Sequence, residues 1–291
     1  MVSVVAALGL NLLTGYCGLI SIGHASFMAV GAFTGAILAS WLEFPFWAAL
    51  LLAGVAGGLV TLIFGSPAIK VKGFYLALTT LAAQFILTWV LINYFQGGRG
   101  IIIARPSIIE GDRSFYYLAL IAAIIMTFLA KNIARSKTGR AFVAIRDNDI
   151  AAGVLGVNVA SYKLLACFIA GFFAGIAGFI WVAYTQWAVV SYFTLSDSIW
   201  YLGMIIVGGM GSIAGTIFGV IFIRGLDTLS YMLVPAITAA IPGTLGQNFG
   251  MAFSTFLFGL VILLFLIYEP RGLYHRWDIL KNSIRLWPFT Y

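Results

Sequence analysis

The sequence predicts an all-α polytopic membrane protein, a bundle of about eight to nine transmembrane helices with broken or re-entrant segments. Three observations carry that expectation. Of the 291 residues 62% are hydrophobic and 9% charged, against about 45–50% and about 25% in soluble domains. Apolar runs recur at the length a helix needs to cross the hydrocarbon, about 20 residues for about 30 Å. The Lys and Arg residues gather in alternate loops, as membrane orientation requires.

Seven runs have spanning length, at about 22–40, 46–66, 73–95, 115–133, 163–185, 198–223 and 250–268. Two further segments, about 1–14 and about 228–245, read as short, broken or re-entrant helices, the second interrupted by Pro235 and Pro242. The opening run VVAALGLNLLTG is about a dozen residues, too short to span, which points to a start upstream of Met1. Met1 is followed by neither a basic n-region nor a small-residue cleavage site, so a removable signal peptide is not expected. With residues 139–156 placed in the cytoplasm, counting spans outward puts thirteen of the sixteen Lys and Arg inside, Lys70, Lys72 and Arg224 among them. Only Arg99, Arg105 and Arg113 fall outside. The net charge of +7 therefore reports orientation rather than a nucleic-acid partner.

No linker or low-complexity tract separates a soluble domain, and residues 1–291 read as a single membrane domain. Glycines at four-residue spacing (Gly31/Gly35, Gly54/Gly58, Gly171/Gly175, Gly211/Gly215/Gly219) let helix backbones approach closely, since lipid gives helices no hydrophobic drive to associate. Two segments look like breaks at membrane depth: GYCGLISIGHASF, residues 15–27, and VGGMGSIAG, residues 207–215. Irregular backbone at that depth is tolerable only inside protein or along a wet path. Their placement near the two ends of the chain suggests a repeat related by inversion, although the residue-level similarity is slight.

Gly209, Gly211 and Ala214 formally satisfy G-x-G-x-x-A, but they sit inside an apolar run and lack the strand, turn and helix of a dinucleotide-binding unit. There is no P-loop. Cys17 and Cys167 have no metal-ligand spacing and read as small buried hydrophobes. The lone His24, without a second ligand, does not make a metal site. With Ser21 and Ser26 it either caps or bridges helices or lines a pathway. Thr80, Gln84 and Thr88 fall at i, i+4 and i+8 on one helix face, facing another helix or a wet passage. No Asp or Glu lies in the middle of a spanning run, which argues against proton-coupled pumping. The basic and aromatic tail, Arg271, Tyr274, Arg276, Trp277, Lys281, Arg285, Trp287 and Phe289, suits the cytoplasmic headgroup layer.

Residues 131–163 stand apart from all this, with eight of the 25 charged residues in one loop. From Gly139 to Arg146 a short helix sets Phe142 and Ile145 on one side and Arg140 on another. The sequence DND then breaks it, and Asp147 or Asp149 is placed to cap a second short helix through IAAGVLG. Charged helix, acidic turn and apolar helix make either a docking element or an ordinary cytoplasmic loop.

The segments ALGLNLLTGYCGLISIGHASFMAVGAF, GFYLALTTLA, GGRGI, SKTGRAFVAIRDNDIAAGVLGVNVASYKLLACFIAGFFAGIAG, IVGGMGSIAGTIFG and EPRGL occur in an order that resembles the permeases of ABC importers of the branched-chain amino acid type, the LivH/LivM family, most like its M-type subunit. The resemblance covers nearly the whole chain. It implies that residues 134–162 are a coupling loop, with Gly139, Arg140, Ala144, Arg146, Asp147 and Gly156 as the positions that couple to an ATPase subunit, and that the tail 270–291 is cytoplasmic. Ser21, His24, Thr80, Gln84 and Thr88 are the candidates for the translocation path. The resemblance further implies a homologous second permease, two ATP-binding subunits that use the ATP and Mg, an extracytoplasmic solute-binding protein, and a bacterial or archaeal inner membrane. The chain itself is expected to bind no cofactor or metal and to be no enzyme. Its substrate would be leucine, isoleucine or valine, or else urea or a short amide. A self-sufficient secondary transporter or channel is the alternative.

Overall fold

The computed structural model describes residues 1–69, 74–96, 100–103, 111–240, 245–269 and 272–286. Lys70, Lys72, Arg99, Arg105, Pro242, Arg271, Trp287 and Phe289 lie outside them. The described residues are mostly helical, joined by short turns, with one two-strand ribbon in which Ile101 and Ile102 pair antiparallel with Ala188 and Trp187. Among the described residues six helices are long and apolar enough to cross a membrane, or seven if one bent pair counts as a span, and two shorter apolar helices accompany them. The chain is therefore a multi-pass membrane protein of all-α class.

The residues form two compact units, 1–202 and 203–291. In the first unit the helices are α1 (Val2–Asn11, prolonged by a π-helical turn Leu12–Tyr16), α2 (His24–Ser40), α3 (Phe46–Gly65), α4 (Phe74–Val90), α5 (Asp112–Arg135), α6 (Lys137–Asp147), α7 (Asp149–Val154) and α8 (Val159–Thr185). The axis of this unit is α8, whose apolar window is 72% buried and against which α1, α2 and α3 all pack. The small-residue spacing explains why. A Cβ on Gly57 would lie 2.5 Å from the Gly171 carbonyl oxygen, and one on Gly31 would collide with the Gly175 backbone. Each crossing is thus a backbone-to-backbone contact that a larger side chain would wedge open.

In the second unit, α9 (Leu195–Gly208, begun in the first) turns at residues 209–212 into α10 (Ile213–Ala240), followed by α11 (Leu245–Tyr268) and α12 (Gly272–Leu286). Reading 198–223 as one span is thereby corrected. Gly209 and Gly211 adopt φ of 112° and 81°, a left-handed corner open chiefly to glycine, and the hairpin closes because a Cβ on Gly208 would meet the Gly219 Cα at 3.2 Å.

A second correction concerns charge. The sequence places Arg224 and Asp227 in a loop between runs, but α10 continues through both to Ala240, passing Pro235. They pair at i, i+3 with Nη1 3.6 Å from Oδ2, so one acid does lie in the middle of a membrane-length helix. Pairing offsets part of a cost that reaches about 3 kcal/mol for each charge at the bilayer centre.

Candidate functional site

The polar strip is built onto the end of α5. Ser136 caps α6, its hydroxyl accepting from the amides of Thr138 (3.1 Å) and Gly139 (3.4 Å). Gly139 is buried where a Cβ would lie 2.5 Å from the Ile133 carbonyl oxygen, so only glycine lets α6 fold back this tightly. Helix α6 is amphipathic as expected. Phe142 and Ile145 are buried, Ala144 is half-buried and Arg140 is exposed. Phe142, Ile145 and Ala152 belong to one apolar cluster with Leu13, Cys17, Cys167 and Ala170, so the strip shares its core with the end of α1 and the start of α8. Both cysteines are buried there, as small hydrophobes.

The cap of α7 differs from the expectation. The residue is Asn148, whose Oδ1 accepts from the amides of Ile150 and Ala151, both at 3.1 Å. Neither Asp147 nor Asp149 does this, because each has a cation beside it. Asp149 pairs with the buried Lys163 at 3.5 Å, and Asp147 accepts from Nε and Nη2 of Arg146, both at 3.1 Å.

Arg146 faces inward as well. Its Nη1 donates to the Gly15 carbonyl at 2.9 Å, and Gly18, at φ 75°, passes so close that a Cβ would lie 2.9 Å from the Arg146 Cγ. A charged residue of the strip thus grips the first break of the membrane bundle. The outermost face of the strip is apolar instead, with Ile150, Val154 and Leu155 70%, 84% and 81% exposed. Gly156 ends α7 at φ 85°, with open space around its Cα. Sequence reasoning passed over Ile150, Val154 and Leu155. Apolar residues on the helical face opposite the buried Ala152 were the signal available.

The first break is the second half of the site. From Cys17 to Gly23 the chain leaves the helix, and α2 restarts at His24. His24 Nε2 lies 2.9 Å from the Ala6 carbonyl, an oxygen that can only accept, so this nitrogen carries the proton. That bond places the start of α2 beside the middle of α1, and the intervening segment therefore runs back along α1. Its backbone is held partly by near neighbours, with the Gly18 and Leu19 amides donating to the Thr14 and Leu13 carbonyls, and partly by other helices. Thr14 Oγ1 donates to the Leu19 carbonyl (3.1 Å), and the Ile22 amide donates to Thr80 Oγ1 (3.0 Å). The first-turn amides of α2 donate to distant side chains, Ala25 to Ser198 Oγ (2.9 Å) and Ser26 to Gln84 Oε1 (3.0 Å). Gln84 also accepts from Ser198 Oγ (3.2 Å) and donates to the Phe193 carbonyl (2.9 Å).

Of the candidate path residues, the structure brings Ser21, His24, Thr80 and Gln84 into this buried cluster. Thr80 and Gln84 face the start of α2, so the stripe serves a helix contact there. Thr88, one turn further, borders a cavity of about 350 Å³ between α4 and residues 190–195, with Gln84, Ser191 and Thr194 also on its wall. Ser21 Oγ is fully buried with no hydrogen-bond partner among the described residues. Sequence reasoning missed Ser198, which no motif distinguishes from other serines of the apolar runs. Among the described residues no three His, Cys, Asp or Glu gather as a metal site.

Comparison with known proteins agrees with this architecture. Residues 1–266 match the family described as "Branched-chain amino acid transport system / permease component". The high-affinity branched-chain amino acid transport system permease protein LivM of Salmonella typhimurium is 29% identical over 304 residues, covering 94% of this chain and 68% of that protein. Its Escherichia coli counterpart is 28% identical over the same shares. A probable branched-chain amino acid transport permease protein LivM of Methanocaldococcus jannaschii is 27% identical over 240 residues, 77% of this chain and 67% of that protein. No solved structure matches the chain. By a match that runs through both of its structural units, the chain belongs to the permease-component family of branched-chain amino acid transport systems.

Proposed function

We propose that the chain is a membrane subunit of an ATP-driven importer in a bacterial or archaeal inner membrane, carrying leucine, isoleucine or valine into the cytoplasm. It would pair with a homologous permease, rest on two ATP-binding subunits that use ATP and Mg, and receive solute from an extracytoplasmic binding protein. The names of its relatives support the substrate class, and the polar strip supports the division of labour. Ile150, Val154 and Leu155 form an apolar tip on a charged element, suited to a cleft in an ATPase subunit, and Arg140, Asp147 and Gly156 are exposed on the same element. Gly139, against the end of α5, and Ala144, against the apolar cluster, hold α6 in place.

The observation that carries the reading is the bond from Arg146 Nη1 to the Gly15 carbonyl. Motion of the strip would pass through this guanidinium to the break at 17–23, and from there to the start of α2 with its Gln84 and Ser198 partners. Such a rigid-body linkage moves solute without covalent chemistry.

Two variants of the assembled transporter in liposomes test it. Val154→Asp with Leu155→Asp places charge on the tip, and is expected to release the ATPase subunits and abolish ATP-driven leucine uptake. Arg146→Met is expected to keep the ATPase subunits bound, while leucine moved per ATP hydrolysed falls several-fold. Undiminished uptake by the tip variant, or uptake driven by an ion gradient in the absence of ATP, refutes the proposal.

A further inference from the structure

The chain changes character between its last two helices. Helix α11 runs for 24 residues without a charge. After residues 269–271, α12 carries three cations, Arg276, Lys281 and Arg285, against the single anion Asp278. The segments Thr255–Tyr268 and Gly272–Ser283 meet at a bend of 49°. The Gly272 amide holds it by donating to the Glu269 carbonyl (2.8 Å), and the Arg276 guanidinium pairs with the Glu269 carboxylate. A chain that goes from uncharged helix to charged helix within one bend goes there from hydrocarbon to head groups, because each residue partitions by its own polarity. Helix α12 therefore starts within a few residues of the lipid surface.

Within α12, Leu273, Trp277 and Leu280 follow one another at i, i+4 and i+7 and make one apolar stripe. At 3.6 residues per turn, Arg276 and Lys281 fall roughly 70° to either side of it. Trp277 and Leu280 are 53% and 56% exposed, and both cations are exposed as well. The first turns of α12 rest on the corner at 209–212. Gly272, at φ 73°, passes so close that a Cβ would lie 2.5 Å from the Gly209 nitrogen. A Cβ on Gly215 would lie 3.1 Å from the Tyr274 Cβ, and the Trp277 ring stands 5.9 Å from that of Phe218. One end of the helix is thus seated on the fold, while its apolar stripe remains open further along.

We propose that α12 binds the head-group layer of an anionic membrane and thereby pins the 209–212 corner to it. An apolar stripe with a cation on each side is the pattern of a helix lying in the interface, its stripe turned to the acyl boundary and its Arg and Lys stems reaching out to phosphate. The short link to α11 keeps lipid within reach of the stripe. The excess of cations over anions selects head groups of negative charge. Gly272 passes the attachment on. Its backbone touches that of Gly209, so the corner cannot shift without dragging α12 through the head groups. This role is independent of the solute the chain carries.

The test uses the full chain, with the subunits it assembles with, in vesicles of phosphatidylcholine alone or of phosphatidylcholine mixed with phosphatidylglycerol. Leu280→Cys carries a nitroxide label, the native Cys17 and Cys167 being buried. In the mixed vesicles the label is expected to collide with oxygen several-fold more often than with a water-soluble nickel chelate. A preference for the chelate puts the stripe in water and overturns the proposal. Shielding from both also overturns it, since a protein partner would then cover the stripe. Pinning is read separately, by amide hydrogen exchange across residues 205–219, expected to be about tenfold slower in the mixed vesicles than in phosphatidylcholine. Lys281 is exposed, so its replacement leaves the packing of α12 on the corner intact. Lys281→Glu is expected to abolish the difference between the two lipids and Lys281→Arg to keep it. Equal exchange of the wild-type chain in both lipids overturns the pinning, and so does an undiminished difference in Lys281→Glu.

Discussion

Among the described residues, the helix breaks at 209–212 and at 17–23 differ in how far along the chain their hydrogen bonds reach. At 209–212 the bonds that hold the corner run to near neighbours in sequence. The Gly209 amide donates to the Ile205 carbonyl (3.0 Å), the Ser212 amide to the Gly209 carbonyl (3.3 Å), and Ser212 Oγ caps α10 by accepting from the Gly215 amide (3.1 Å). At 17–23 several of the bonds that matter cross the fold, to Thr80, Gln84, Ser198 and Ala6. A break with local partners is a fixed corner that moves with its helices. A break held by side chains of other helices changes its bonding whenever those helices shift, and so can respond to a signal arriving elsewhere. Arg146 joins the polar strip to the second kind of break.

Substitutions at the two breaks test that contrast. The largest effect is expected from Gly219→Leu beside the fixed corner, where even a Cβ meets the Gly208 Cα at 2.8 Å and runs into the Met204 carbonyl. Overpacking against backbone should cost roughly 3 kcal/mol, seen as loss of monodisperse protein in detergent. Gln84→Leu at the responsive break removes one of two acceptors of the Ser26 amide, and a partner of Ser198 Oγ and of the Phe193 carbonyl, at nearly constant volume. It should cost about 2 kcal/mol of stability and lower leucine uptake by more than the loss of folded protein explains. Ser212→Ala removes the corner's own cap and should cost only about 1 kcal/mol, lowering the apparent melting temperature by a few degrees while uptake per folded transporter stays at the wild-type level. If Ser212→Ala impaired uptake as Gln84→Leu does, the distinction between the breaks would fail.

Much of this was legible from residue order because it rests on local patterns. The amphipathic spacing of α6 placed Phe142 and Ile145 inward and Arg140 outward, and the glycine-rich stretches marked both breaks. The errors came where a residue had to be assigned a partner. Asp147 and Asp149 were plausible caps until Arg146 and Lys163 claimed them and left the role to Asn148. The charges at 224 and 227 ended an apolar run on paper, although as a pair one turn apart they remain inside α10.

Hydrophobic length and small-residue spacing by themselves determined that the chain is a tight helical membrane bundle with one charged strip outside it, because both are set by how each residue partitions between lipid and water. The inward turn of Arg146, the use of Gln84 and Ser198 to hold the start of α2, and the pairing of Arg224 with Asp227 inside α10 were decided only by the tertiary structure. Each depends on a hydrogen bond, charge or empty space supplied by a residue whose distance along the chain carries no information about its distance in space.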